Sequence, residues 1–280
     1  MATKVLAPAK LNLVLKVLAK RPDGYHELFT IFQKVTLFDE LILALTPEKE
    51  ITLETRGEVP TGEDNLCVRA AKLYQARTNK IFGLKIRLTK KIPMAAGLGG
   101  GSSDAAAVLK FLNQHFGALS QEELMALGRR LGADVPFFLS PYSTALGRGI
   151  GEILSPWPTF PAWYVVVCPE VRISTAWAYQ NLRLTTPCEL PNYEPDQPLW
   201  HQGLVNDFEP LIFAAYPEIG RWKRRLKELG AKEALLSGSG ASVFGVFEAL
   251  EEAKKTYLNL KDEGVKVFLV TNHIPAKGGE

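Results

Sequence analysis

Four glycines crowded in front of a helical run constrain this chain more than any other feature. The stretch is Pro93-Met94-Ala95-Ala96-Gly97-Leu98-Gly99-Gly100-Gly101-Ser102-Ser103, and a strongly helical run follows from Asp104 to Phe116. Without a Cβ, glycine lets backbone N–H groups approach an anion and adopts φ > 0 where needed. A helix starting near Ser102 adds donors with no intrahelical partner and the positive end of a dipole. Together they make a phosphate cradle. Ser102 and Ser103 supply hydroxyls to phosphate oxygens or, for Ser103, to Mg²⁺. A lone glycine-rich segment is as often a packing turn. Here four glycines, two serines and an Ala-rich helix coincide, which favours phosphate. The loop is not a P-loop, because the Lys of that motif is absent, and GxGxxG fails because its sixth position is Ser102. The HRD and DFG motifs of protein kinases are missing too.

Composition removes several other classes. The chain has 280 residues, 46% apolar and 22% charged, which describes a folded protein and not a disordered one. A net charge of +3 gives no basic footprint for nucleic acid. The longest apolar run, Ala162 to Cys168, is far short of the ~20 residues a membrane span needs. Lys4, Lys10 and Lys16 interrupt the apolar amino terminus, so no signal-peptide core is expected there. Cys67, Cys168 and Cys188 are odd in number and far apart, which argues against a disulfide framework or a cysteine metal site and for a cytoplasmic location.

Strands are expected over Lys4–Ala7, Leu11–Val17, Phe29–Val35, Glu40–Leu45, Ile51–Thr55 and Leu84–Leu88, with a turn at Arg21–Gly24. Asn65–Arg77 reads as a helix. Ser120–Leu131 reads as another, opened by a capping box of Ser120 and Glu123 and ended by Gly132–Pro136. Strands follow at Ser143–Leu146, Ile153–Leu154 and Trp163–Cys168. The proline-dense Ser155–Pro161 looks like a boundary. Pro187–Pro198 is a loop, either a lid or a surface insertion. Then come a helix (Pro217–Leu229), a strand (Ala234–Leu236), a turn (Ser237–Gly240), a strand (Val243–Phe247), a helix (Leu250–Leu260) and a last strand (Val265–Thr271). Strands and helices mix without regular alternation, which predicts an α+β fold of two halves, 1–155 and 156–280.

The glycine loop resembles the ATP-phosphate loop of the GHMP kinases. Three more segments match in family order: PAKLNL (Pro8–Leu13), LGADVPFFL (Leu131–Leu139) and LSGSGASVFGVF (Leu236–Phe247). The resemblance runs from about residue 4 to about residue 270. It implies a two-domain small-molecule kinase with its active site in the interdomain cleft, using ATP and Mg²⁺. RPDGYHEL (Arg21–Leu28) is similar to the members whose acceptor carries a cytidine diphosphate. No nucleic-acid or membrane partner is implied, and the expected state is a monomer or weak homodimer.

Roles carry over residue by residue. Asp134 matches the aspartate that faces the acceptor hydroxyl, and Lys10 the lysine near it. A neighbouring Lys⁺ lowers an aspartate's pKa and weakens it as a base. A loose phosphoryl-transfer transition state needs little early proton abstraction. Asp134 is therefore read as orienting the hydroxyl and taking its proton late, with Lys10 stabilising developing charge. Asn12, Tyr25 and His26 match the positions holding the cytidine end. Tyr179 is a candidate for the second face of an aromatic sandwich, or else a core tyrosine. Gly238 and Ser239 belong to the substrate side. Pro93, Gly97, Leu98, Gly99, Gly100, Gly101, Ser102 and Ser103 hold the nucleotide phosphates, and Asn65 and Lys90 its adenine end; Asn65 is equally a helix N-cap. Asp104 is assigned to capping or to support. His115, His201 and His273 match no motif, and no zinc is expected.

Two other readings stay open on the residues alone. One is a sibling kinase of homoserine or mevalonate type, which the Tyr25-His26 pair disfavours. The other is a non-catalytic nucleotide sensor, which the retention of Asp134 and Lys10 disfavours.

Overall fold

In the computed structural model the described residues are 1–57, 59–60, 62–184 and 190–273. The chain forms two compact units interleaved along the sequence. One takes Met1–Ala9, Leu37–Met94 and Gly99–Pro141; the other takes Lys10–Thr36, Ala95–Leu98 and everything from Tyr142 onward.

Both draw on the first two strands, β1 (Thr3–Lys20) and β2 (His26–Thr46). The composition suggests two pieces for each, and both are continuous. Pro8 does not break β1, since a proline only withdraws one N–H from the ladder. Thr36-Leu37-Phe38 carries β2 across the supposed gap because all three are good strand formers.

In the first unit, β4 (Gly83–Thr89) lies between two neighbours. It runs antiparallel to β2, from Glu40↔Thr89 to Thr46↔Gly83, and parallel to β3 (Ile51–Arg56), from Ile51↔Leu84 to Arg56↔Thr89. Helix α2 (Gly100–Phe116) packs against α1 (Leu66–Thr78), α3 (Gln121–Leu131) and α4 (Val135–Leu139). Leu41, Leu43, Tyr74, Leu84, Ile86, Leu109 and Leu112 are buried there. Each such side chain stabilises the unit by ~1.5–3 kcal/mol relative to exposure. The capping box at Ser120 and Glu123 forms as expected. α4 replaces the expected terminator, because Pro136 falls in its first turn, where a missing N–H costs nothing.

In the second unit, the start of β2 pairs with β5 (Thr144–Arg148), from Thr30↔Gly147 to Gln33↔Thr144, and β5 pairs with β6 (Ile153–Pro156). A four-stranded sheet orders β11 (Lys266–Thr271), β7 (Trp163–Cys168), β10 (Val243–Phe247) and β9 (Glu233–Leu236). Helices α5 (Thr175–Asn181), α6 (Leu199–Gln202), α7 (Glu209–Ala215), α8 (Pro217–Glu228) and α9 (Leu250–Lys261) complete it. β8 (Val205–Asn206) runs parallel to β1 at Val14↔Val205. The core joins Leu15, Val17, Val165, Val167, Phe208, Ile212, Leu236 and Phe247. α5, α6 and α7 are too short for a helical period to show in the sequence. The expected loop at 187–198 lies partly outside the described residues. Its described part is tied down, with Glu194 N donating to Gln202 Oε1 (2.7 Å) and Gln202 Nε2 to Gln197 O (3.0 Å). Among the described residues no helix is long and apolar enough to cross a membrane.

Candidate active site

Helix α2 starts four residues before Asp104, inside the glycine run. Gly99 is its N-cap in the left-handed region (φ 70), and no side chain caps the first turn. Helix geometry leaves the N–H groups of Gly100, Gly101 and Ser102 without intrahelical partners, while Ser103 N donates to Gly99 O. Gly101 is exposed, Ser102 half-buried and Ser103 buried. Ser103 Oγ is buried and, among the described residues, has no hydrogen-bond partner. A buried hydroxyl without a partner is costly unless a ligand completes it. The donor set therefore fits a nucleotide phosphate with Mg²⁺. Pro93 is half-buried just ahead of this segment.

The earlier helix start removes Asp104 from any capping role. It lies in the second turn, buried, and its Oδ2 accepts from Lys90 Nζ at 2.6 Å. Lys90 Nζ also donates to Asp39 Oδ2 at 2.5 Å, and Asp39 Oδ1 accepts from Lys91 N (2.6 Å) and Ile92 N (2.9 Å). Burial, opposed by Lys90 and aided by Asp39, pushes the Asp104 carboxyl up to about 7. The Lys90 ammonium, expected at the adenine end, is thus engaged between two carboxylates. Asn65 is the N-cap of α1. Its Oδ1 accepts from Cys67 N (2.9 Å) and its Nδ2 donates to Pro60 O (2.8 Å), so the capping alternative is the one its side chain adopts. Asp134 occupies the N-cap position of α4, half-buried, with no capping bond from its carboxylate.

In the second unit, the segment 95–98 of the loop is fastened on two sides. Leu98 O accepts from Lys10 N (2.9 Å), Ala96 O from Ser242 N (3.2 Å) and Gly97 O from Ser237 Oγ (2.9 Å). The Leu98 side chain is buried. Gly97 has φ +74, and a Cβ there would lie 2.0 Å from Ser237 O. Gly238 has φ +58, and its Cβ position is 3.4 Å from Lys10 Nζ. Lys10, 4% exposed, thus places its ammonium against the Gly97–Gly238 meeting point. Lys10 Nζ donates to Asn12 Oδ1, Asn12 Nδ2 to Thr30 Oγ1 (2.8 Å), and Thr30 Oγ1 to Val14 O (2.7 Å). Asn12 is therefore buried behind Lys10, its amide held at both ends. Ser239 Oγ is 3.1 Å from Thr175 Oγ1.

Tyr25 and His26 close the turn before β2. Arg21 N donates to Tyr25 O (2.8 Å), and Arg21 pairs with Asp23 (3.0 Å) and Glu27 (3.1 Å). The Tyr25 ring is exposed in this ordered turn. His26 stacks on Tyr179, with centroids 5.0 Å apart, and Tyr179 meets Phe208 edge-on. Tyr179 thus packs on His26 itself rather than standing apart as an opposing face. Burial, and secondarily Lys20, lowers the His26 pKa from its ordinary value.

Three contributors were not read from the sequence. Asp39 and Thr30 sit in an apolar strand, and an acid in LFDEL is the only cue to the first. Asn206 Nδ2 donates to Leu236 O (2.7 Å) and Gly238 O (2.8 Å), holding the root of the Ser237–Ser242 turn. Its partners appear only once β8 is placed.

Comparison with known proteins gives the class first. Residues 65–141 match the family described as GHMP kinases N terminal domain, and residues 193–266 match GHMP kinases C terminal. A solved homoserine kinase from Cytophaga hutchinsonii shares the fold, with a TM-score of 0.71 at 19% identity over 96% of this chain and 94% of that one. The α+β fold and the motif resemblance hold, and the protein is a small-molecule kinase, a phosphotransferase of a type that uses ATP. A relative in Geobacter metallireducens named 4-diphosphocytidyl-2-C-methyl-D-erythritol kinase is 46% identical over 254 residues, 89% of this chain and 90% of its own. A crystal structure of 4-(cytidine 5'-diphospho)-2C-methyl-D-erythritol kinase has a TM-score of 0.80 at 38% identity, covering 96% of this chain and 98% of that one. The chain belongs to this family of GHMP kinases.

Proposed function

We propose that the protein transfers a phosphoryl group from ATP to the 2-hydroxyl of 4-diphosphocytidyl-2-C-methyl-D-erythritol, giving ADP and the 2-phosphate. The observation that carries this reading is the buried Lys10 ammonium set against Gly97 of the phosphate loop and Gly238 of the Ser237–Ser242 turn. A cation so placed meets the negative charge that spreads over a transferring phosphoryl group. The relatives' shared name supports the choice of acceptor.

The loop from Pro93 to Ser103 takes the ATP phosphates, through the N–H groups of Gly100, Gly101 and Ser102 and the adjacent backbone of Gly97, Leu98 and Gly99. Mg²⁺, when bound with ATP, neutralises phosphate charge, and Ser103 is the residue assigned to hold it. Asp134 orients the acceptor hydroxyl and accepts its proton late, because a loose transition state draws little on an early base. Asn65, which opens α1, and the Lys90 position, which follows β4, serve the nucleotide. Tyr25 offers a face for the cytosine ring, a contact worth ~1–3 kcal/mol by analogy with base stacking on aromatics. A neutral His26 donates and accepts toward the cytosine edge. Asn12 acts through Lys10, and Gly238 and Ser239 line the acceptor side.

Release of ADP with and without the cytidyl acceptor tests the reading, in wild type and Asp134→Ala. Acceptor-dependent turnover is expected, falling at least ~10²-fold in the variant, the lower end for loss of an acid–base group. CMP should compete with the acceptor. Wild type that binds ATP yet turns over no cytidyl acceptor would shift the function to another acceptor or to nucleotide sensing.

A further inference from the structure

A buried cluster of three ionisable side chains lies under the phosphate helix, and the steps above give its two carboxylates, Asp39 and Asp104, no part. Asp39, Lys90 and Asp104 have side chains 0%, 7% and 4% exposed. Two carboxylates share one ammonium. Such clusters are poor stabilising devices, since apolar replacements of similar volume are often neutral or better. What this one does is better read from what it joins.

It joins the two ends of the phosphate loop. At the start, Asp39 grips Lys90 Nζ and the N–H groups of Lys91 and Ile92, the residues leading into Pro93. At the far end, the same Nζ binds Asp104 Oδ2, one turn into α2. Between them, Gly100 rests on the cluster, for a Cβ there would lie 2.9 Å from Lys90 Nζ. A single ammonium therefore holds the strand before the loop and the helix after it.

We propose that Asp39 and Asp104 are positioning residues for the nucleotide: acting through Lys90, they pin both ends of the phosphate loop so that the first-turn N–H groups of α2 are already aimed. An unpinned loop must be ordered by ATP itself, and that cost appears as weaker binding. The inference rests on the kinase reading but concerns the nucleotide alone, so it can fail separately.

The test measures ATP binding by calorimetry without acceptor, and KM for ATP and for acceptor in turnover. In Asp39→Asn the amide oxygen still accepts from Lys91 and Ile92, but an NH₂ now faces the ammonium. Loss of one charged hydrogen bond predicts ATP binding weaker by about tenfold or more. The acceptor KM should stay within about twofold, a split that loss of general stability would not give. Asp104→Ala should do the same, and Asp104→Asn, which keeps an oxygen toward Lys90, should recover most of the affinity. If Asp39→Asn does not fold, the Asp104 pair decides alone. ATP affinity unchanged in folded variants, or both KM values rising together, would overturn the proposal. Wild type lacking turnover would fault the kinase reading, while the calorimetry would still decide this one.

Discussion

Lys10 shows how a buried cation is kept in place by a chain of hydrogen bonds behind it. Its ammonium is met by Asn12, and Asn12 is held by Thr30, whose hydroxyl ends the chain on Val14 O. Thr30→Val keeps the shape but leaves the Asn12 NH₂ and the Val14 carbonyl without that partner. The expected cost is ~1–3 kcal/mol of stability, read by denaturant titration, with Thr30→Ser close to wild type. A fall in kcat at unchanged KM for ATP should accompany it. His26 carries a pH prediction. Burial disfavours its charged form, so it is neutral at pH 7 and protonates only below its ordinary 6.5. The protonated ring loses its acceptor nitrogen, so kcat/KM for the acceptor should fall on acidification with its break below pH 6.5. Stability from this group declines in the same direction, because the unfolded chain takes the proton more readily. A break at or above 6.5 would remove His26 from the cytosine edge. Lys10 and Asn12 can be singled out in PAKLNL, whereas Thr30 is anonymous until β1 and β2 lie side by side.

At the level of elements, glycines that look alike do different work. Gly97 and Gly117 both have positive φ, so any side chain at either strains the backbone, by ~1–2 kcal/mol. At Gly117, the C-cap of α2, a Cβ meets nothing within 4 Å; at Gly97 it would overlap Ser237 O. Gly117→Ala should lower the melting temperature slightly and leave turnover intact. Gly97→Ala must displace either the loop segment or the Ser237–Ser242 turn, and a drop of tenfold or more in kcat/KM is expected from a shift of that kind, about 1.4 kcal/mol or above. Equal activity in the two variants would mean that the loop repacks freely. Helix α2 also begins earlier than its residue types suggest. Helical propensity reads Gly-Gly-Ser-Ser as loop. The structure nevertheless begins the helix at Gly100, since Gly99 turns the chain in the left-handed region and Lys90 packs beneath. The gain of that local frustration is a helix N-terminus set inside the glycine run.

For the whole molecule, what could be read from residues was whatever is encoded locally. The capping box of α3, strand β7 and the hairpin from β9 to β10 follow from near neighbours in sequence, and so does the glycine-rich turn into α2. The Asp39–Lys90–Asp104 cluster and the grip of Asn206 on the Ser237–Ser242 turn depend on partners 14 to 51 residues away, as in the pairs Lys90–Asp104, Asn206–Gly238 and Lys90–Asp39. No short window of sequence contains both members of such a pair. The family resemblance bridged part of that gap by carrying the site as a set of motifs in order.

The interleaving of the two compact units bears on how the protein is made. Residues 10–36 belong with the segment from Tyr142 onward, yet they leave the ribosome long before it. At a synthesis rate of ~5–20 residues per second, translating those later residues takes on the order of ten seconds. Throughout that interval the apolar middle of β1 and the first half of β2 have no finished unit to join. They are the part of the nascent chain most in need of a chaperone's cover.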